Sequence, residues 1–440
     1  MMQVTRAVEQ GGGAVTSRSQ PLRTVSFILG LSAALVAVRS PVLGSYIYPS
    51  GALVMLATGV ALISTSNKQL LHLRITSIDI LTVALIGVRI LAEMLNWIYL
   101  DIVFASSAIG DFVLGYVALV LVRLMVQSKE DFHTLIRWLT VPAIAVAVIA
   151  VLQVINTPGL NDLLIQHVNS GGLAARLEKG WDIRATSTIG HWTALGGYLL
   201  VVIAARCVMI VNGTRKRWDW LVILLLFLGQ LSTLTFATIF ASVAVLVGTL
   251  VLIRASLIWV VGVIGASIGI WYTVGSLIAD RIDKQSEGSA ALGGSYSWLP
   301  ESLGFRLVVW MNETIPAILE RPISGWGIYA YQNRGTGKAS EHLRWISPES
   351  EWMRTAVSSG LPALVLQFIL LLCVYLLIRR VGMSEGLIRT GPIQVAFVGL
   401  VIISTIHSHF ANRGVPLILW PIVGGLIALS TISSGSRVSR

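Results

Sequence analysis

Apolar residues run along this chain in long unbroken blocks separated by short polar breaks, not in the alternation of a half-buried strand. Blocks near twenty residues are what a helix needs to cross a hydrocarbon core of about 30 Å. The pattern predicts helical spans at 24–39, 46–64, 77–96, 104–126, 138–155, 188–211, 218–234, 236–253, 257–279, 352–378, 391–409 and 415–432. Ser232 to Ile253 and Ala356 to Ile378 are the clearest. The expected fold is all-α: a polytopic transmembrane helical bundle of about 12 spans, with a large extracytoplasmic loop that contains short surface helices. The expected division is a disordered cytoplasmic tail at 1–23, spans one to nine at 24–279, the loop at 280–351, spans ten to twelve at 352–432 and a second cytoplasmic tail at 433–440.

Composition agrees with this reading. The 440 residues are 55% hydrophobic and 12% charged, about half the charge of a soluble domain. The net charge of +11 does not point to nucleic acid, because the basic residues are scattered and build no patch or reader motif. They fall instead at span ends. Arg6, Arg18 and Arg23 precede the first span, Lys68 and Arg74 follow the second, Lys129 and Arg137 the fourth. Arg215, Lys216 and Arg217 follow the sixth, Arg254 the eighth, and Arg379, Arg380 and Arg389 the tenth, while Arg437 and Arg440 close the chain. With an even count all these clusters share one side, which the positive-inside rule makes cytoplasmic. Both termini are then cytoplasmic. The expected location is the bacterial cytoplasmic (inner) membrane. Trp97, Trp138, Trp218 and Trp420 stand at span ends like an aromatic belt. Cys207 and Cys373 lie in apolar segments and suggest neither a disulfide nor a metal site. The polar, basic start and the missing small-residue cleavage site predict a retained first helix, not a cleaved signal peptide.

Two long connections, Asn156 to Ser187 and Asp280 to Glu351, fall on the outer side of this threading. Long loops in a compact chain are functional or disordered. The second carries Tyr296, Trp298, Trp310, Trp326, Tyr329, Tyr331 and Trp345, enough aromatic surface to fold. Its pieces Phe305–Trp310 and Glu313–Leu319 fit amphipathic surface helices.

Three polar constellations could carry chemistry. The first is Arg184-Ala-Thr-Ser-Thr-Ile-Gly-His191. An arginine among hydroxyls can hold phosphate oxygens through its fork of donors, or it can reach toward lipid headgroups. His191 is equally consistent with a structural hydrogen bond. The second is Arg306-Leu-Val-Val-Trp310 followed by Glu320-Arg321-Pro-Ile-Ser-Gly-Trp-Gly327, where Pro and two Gly mark a tight turn. The third is Ser347-Pro-Glu349-Ser-Glu351-Trp-Met-Arg354, with Gly360-Leu-Pro362 beyond it. Its carboxylates could cap a helix, or one could take a proton from a hydroxyl nucleophile. Among weaker features, Arg89 and Glu93 are spaced to pair on the third span. Asp111 lies near the outer end of the fourth. His407, His409 and Arg413 crowd the outer end of the eleventh. No Asp-x-Asp pair and no Walker-type phosphate loop occurs. Neither a nucleotide nor a metal is expected.

In their order, these segments resemble the O-antigen ligase/polymerase superfamily of integral membrane glycosyltransferases. The resemblance covers residues 180–375. It rests on Arg184 before Gly190-His191, on Ser232-Thr-Leu-Thr-Phe-Ala-Thr238 opening the eighth span, on Arg306, Trp310 and Arg321 to Gly327 in a large outer loop, and on Glu349 to Pro362 leading into a helix. The chain departs from the family twice. Where the family reads Ser-Arg at the eighth span, no basic residue stands among Leu234 to Phe240, and Thr238 is the nearest equivalent. Where ligases carry His-Asn or His-Ser, this chain has Glu349-Ser350, which points toward the polymerase-like, exopolysaccharide branch.

The resemblance implies transfer of an oligosaccharide from undecaprenyl diphosphate to an acceptor glycan, without cofactor and with inversion. Glu349 would act as general base, and Arg184 and Arg306 would neutralise the leaving diphosphate. His191, Arg321, Arg344, Glu351, Arg354, His407, His409 and Arg413 would bind substrate. The implied partners are the lipid bilayer, the lipid-linked donor and the acceptor glycan, with chain-length regulator and flippase proteins of the same assembly line. Two further readings stay open: a polysaccharide or lipid transporter, and a non-catalytic assembly subunit.

Overall fold

The computed structural model describes residues 13–42, 45–65, 74–214, 217–256, 258, 261–262, 265, 301–384, 387–411 and 414–438. The ninth predicted span, 257–279, therefore falls almost wholly outside the described residues, as does Arg413. The described chain is helical apart from turns and one antiparallel ribbon pairing Ser40–Val42 with Ser45–Ile47.

Each of the other eleven predicted segments overlaps helix, with edges that differ. The helices are α1 Gly13–Ala34, α2 Pro49–Ser64, α3 Ser77–Leu100, α4 Ser106–Met125, α5 Lys129–Leu139 and α6 Pro142–Val154. In the long connection after α6 lie α7 Leu160–His167 and α8 Gly171–Glu178. Then come α9 Trp192–Val211, α10 Arg217–Leu231 and α11 Phe236–Leu252. The outer-loop segment holds α12 Glu301–Val309, a π-turn at Trp310–Thr314 and α13 Ile315–Glu320. The last three are α14 Glu351–Met383, α15 Gly391–Ile403 and α16 Gly414–Val438.

Five stretches among the described residues are long and apolar enough to cross a membrane: Ala108–Met125, Lys129–Val154, Trp192–Val211, Glu351–Met383 and Gly414–Ile432. Outward faces carry large apolar side chains, with Ile63 89% exposed and Leu372 56% exposed. Water would penalise such a surface, whereas lipid would not.

The pattern misplaces several boundaries. The predicted tail is helical from Gly13 onward, since Leu22 and Val25 bury against the bundle and draw the first helix back past Arg23. The fifth predicted span is two helices that meet at Thr140 and Val141, where Pro142 starts the second. The eleventh helix stops at Ile403, so His407 and His409 lie in the turn after it.

Helix α9 is the axis of the bundle. Every residue from Thr193 to Val211 is buried, as an all-round apolar helix requires. α10, α11, α15 and α16 pack around it. Adjacent glycines let two neighbours approach closely: a Cβ on Gly196 would stand 2.5 Å from Thr238 Oγ1, and one on Gly197 would stand 2.5 Å from His409 Nδ1. Gly197→Ala should therefore lower the melting temperature of the purified protein, at an overpacking cost of about 1–3 kcal/mol. An unchanged melt would show that the His409 ring is not seated there.

Contacts define the two ends of the bundle. At one end Arg123 pairs with Asp79 at 2.7 Å, and Arg206 with Asp219 at 3.5 Å. There Asn212 also donates to the Arg389 carbonyl (3.1 Å) and accepts from its N–H (2.8 Å). At the other end the start of α9, the turn between α10 and α11, the start of α14 and the end of α15 come together with the outer-loop segment.

That segment is folded. Ala317, Ile318, Ala330, Tyr331, Leu343 and Val357 share a small apolar cluster with α14. Burial raises the Tyr331 phenol above its ordinary pKa, so it serves as a neutral anchor.

Candidate functional site

The segment from Arg184 to His191 is held from two sides. On one side the buried Gln153 of α6 accepts from the N–H groups of Thr186 and Ser187, both at 2.9 Å. Its Nε2 donates to Thr186 Oγ1 at 3.3 Å. Ser187 has φ +45 and donates from its hydroxyl to the Val146 carbonyl at 2.9 Å. On the other side the Ala185 N–H donates to the Ser232 carbonyl at 2.9 Å.

Arg184 continues that second contact. Its Nε donates to the Thr233 carbonyl (3.0 Å), and its Nη2 to the Leu234 carbonyl and Thr235 Oγ1 (both 3.1 Å). Leu234 has φ +49, which turns successive carbonyls toward the guanidinium. The Trp192 ring lies 4.7 Å from the guanidinium carbon, a cation–π distance. The Thr/Ser-rich opening of the eighth span thus meets Arg184 directly. Most of the guanidinium fork is occupied in holding that turn.

His191 caps α9. Its Nδ1 accepts from the Thr193 N–H at 3.3 Å and lies 2.8 Å from Thr193 Oγ1. Gln153 carried no functional signal in the sequence, where it is one polar residue in an apolar run. Replacing it by Leu would leave two buried N–H groups without an acceptor, at about 1–3 kcal/mol each. Gln153→Leu should therefore melt earlier than wild type, whereas a wild-type melt would refute its clamping role.

Arg306 on α12 forms an ion pair with Glu349. One turn along, Trp310 donates from Nε1 to the Pro348 carbonyl at 2.7 Å. The Arg-x-x-x-Trp spacing therefore puts both side chains on one face, gripping the segment that enters α14. Glu349 has φ +52, a strained conformation for a residue with a side chain. Ser350 caps α14, accepting from the Met353 N–H at 3.5 Å. The next residue, Glu351, is buried: it accepts from Gln367 Nε2 at 3.2 Å and from the Ala411 N–H at 3.0 Å. The two carboxylates thus face different neighbours.

The turn Arg321–Gly327 sits in a break of α14. At Gly360 the backbone takes φ +80 and ψ 172. The turn supplies the hydrogen bonds that the opened helix loses. The Trp326 N–H donates to Val357 O (2.7 Å), Gly327 N–H to Ser358 O (2.9 Å) and Leu361 N–H to Pro322 O (2.7 Å). Arg321 donates to Asn96 Oδ1 at 2.9 Å and stacks on Trp326 at 4.7 Å. Arg344 is exposed, and its N–H donates to Glu313 at 2.9 Å.

The Arg89–Glu93 pair expected from spacing does not form. Arg89 reaches Gln367 Oε1 at 3.1 Å and stacks on Phe112 at 3.9 Å. Glu93 instead accepts from the N–H groups of Ala105 (3.3 Å) and Ile328 (2.5 Å). Tertiary partners outcompete the helical neighbour because both groups are buried and need hydrogen bonds.

His407 links the distant segments. Burial acts on it most strongly, and His409, Arg306, Arg184 and His191 are near enough to act on it electrostatically. The His407 and His409 rings are 6.2 Å apart. His409 is fully buried, and neither ring nitrogen has a hydrogen-bond partner among the described residues. Arg184, His191, Arg306, His407 and His409 therefore form one electrostatic neighbourhood, to which Arg306 adds Glu349. Glu351 and Arg354 line a neighbouring cavity. Arg321 and Arg344 make their contacts elsewhere, in the outer-loop framework. Among the described residues no group of three His, Cys, Asp or Glu could hold a metal ion.

No family model matches this chain, and no curated protein matches it either.

Proposed function

We propose that the chain is an integral membrane glycosyltransferase that polymerises or transfers undecaprenyl-diphosphate-linked oligosaccharide repeat units at the outer face of the cytoplasmic membrane. The observation that carries this reading is the Arg306–Glu349 ion pair at one end of an apolar bundle, with Arg306, Arg184 and His191 all within electrostatic reach of His407. Such a cluster offers fixed positive charge beside a carboxylate.

In the reaction, an acceptor hydroxyl oxygen attacks the anomeric carbon as the carbon–oxygen bond to the diphosphate breaks. The hydroxyl proton passes to Glu349, and undecaprenyl diphosphate leaves with the bonding electron pair. Arg306, released from Glu349 by the arriving diphosphate, neutralises the developing charge. That exchange frees the carboxylate at the moment it is needed. Arg184 adds charge while it holds the Thr233–Thr235 turn. One displacement inverts the anomeric centre. The twelvefold threading, with cytoplasmic termini, belongs to this proposal.

The test is incubation of the purified protein with lipid-linked repeat units, with neither nucleotide nor metal added. A ladder of longer products supports the polymerase, and transfer to a separate glycan supports the ligase alternative. A second reading, transport of a polysaccharide or lipid, draws on one observation: α14 breaks at Gly360 close to the buried Arg89, and broken helices build transporter sites. Carriage of substrate into liposomes without turnover would favour it.

A further inference from the structure

A cavity of about 230 Å³ is bounded by α3, α4, the start of α14 and the outer-loop segment, and Glu351, two residues beyond Glu349, lines it. The mechanism above does not use it. Arg89, Asp111, Glu351 and Arg354 line it, so two guanidinium groups face two carboxylates and the formal charges cancel. Arg89 is 5% exposed, and its Nε has no hydrogen-bond partner. An orphan donor of this kind in a buried wall is costly unless something pairs with it. Tyr329 and Phe410 supply apolar faces in the same wall, where Phe112 carries the stacked Arg89 guanidinium.

From this lining the geometry points to a subsite for one uncharged pyranose ring of the acceptor glycan. Planar charged groups of both signs can donate to and accept from hydroxyls, while aromatic faces cover the ring's C–H surface. A diphosphate fits poorly, because its charge would stand beside Glu351 and Asp111. The volume suits a single ring, not a chain. The position suits an acceptor, since Glu349 and Glu351 flank Ser350 and one faces Arg306 while the other faces the cavity. The inference rests on the glycosyl-transfer reading for the word acceptor, but sugar binding itself can be measured without turnover.

Saturation-transfer NMR on the purified protein, with the methyl glycosides of glucose, galactose, mannose, rhamnose and N-acetylglucosamine as probes, gives the direct readout. At least one glycoside should show transfer. Ala108→Phe, which fills the cavity from its wall, should weaken that signal at least tenfold while keeping the wild-type melt. Pyrophosphate should not displace the glycoside. Displacement by pyrophosphate, or a signal that survives Ala108→Phe, overturns the subsite.

A sugar outside this panel is covered by a second readout, with lipid-linked repeat units. Ala108→Phe should raise the acceptor concentration for half-maximal product at least tenfold. An unchanged requirement, together with silent glycosides, also overturns the proposal. Glycoside binding that depends on the cavity, in a protein that makes no polymer, would sink the transferase reading and leave the sugar site standing.

Discussion

Glu349→Gln should cut product formation from lipid-linked repeat units by at least ~100-fold, the span expected when a general base is removed. The Glu349 side chain is 43% exposed, so losing its ion pair with Arg306 should barely move the melt. The substitution keeps size and shape, which separates chemistry from packing. Arg306→Ala should cause a comparable loss, through charge that no longer meets the leaving diphosphate. Arg184→Ala should behave differently. It strips partners from the Thr233 and Leu234 carbonyls, so it should lower stability together with activity. Arg184→Lys should recover little, because one ammonium cannot reproduce three fork-directed bonds. Full activity in Glu349→Gln would remove this residue from the mechanism.

Gly360→Ala should be among the most destabilising single changes in the half of the molecule that holds the Arg321–Gly327 turn. The backbone there has φ +80, and a Cβ would lie 2.0 Å from the Ile323 carbonyl oxygen. Strain at such a φ costs about 1–3 kcal/mol, and the overlap with backbone adds to it. The Arg321–Gly327 turn would be pushed off α14 and would lose its bonds to Val357 and Ser358. The expected result is a loss of at least ~3 kcal/mol, with low yield and collapsed activity. A variant that melts like wild type would show that the turn is not seated in the break.

Much of this architecture is legible in the sequence. Apolar blocks find the helices because a twenty-residue run has few alternatives. The Arg-x-x-x-Trp spacing places Arg306 and Trp310 on one face, where they hold Glu349 and Pro348. Arg184 and the Thr/Ser segment of residues 232–238 both stand out in the sequence, though nothing in it shows the direct contact between them. Other features depend on tertiary partners that no local pattern carries. Arg89 and Glu93 have the spacing of a pair, yet each turns to a deeper acceptor or donor. Gln153 looks incidental until Thr186 and Ser187 are seen to need it. The span expected at 352–378 runs straight through Gly360-Leu-Pro362, and only the structure shows a break there that Pro322, Trp326 and Gly327 occupy. The small-residue pair Gly196-Gly197 gives no hint that Thr238 and His409 press against it from different helices.

The central claim is that the Arg184 and Glu349 segments share one face of the membrane, on the exterior. Cysteine labelling in intact cells tests it most directly. In a background of Cys207→Ala and Cys373→Ala, single substitutions Trp181→Cys and Ile346→Cys place thiols at exposed sites beside the two segments, while Met383→Cys marks the opposite end of α14. A membrane-impermeant maleimide should label the first two from outside and reach the third only after lysis. If Trp181→Cys and Ile346→Cys react from opposite sides, or if both need lysis, a shared outer site cannot exist and the account is wrong.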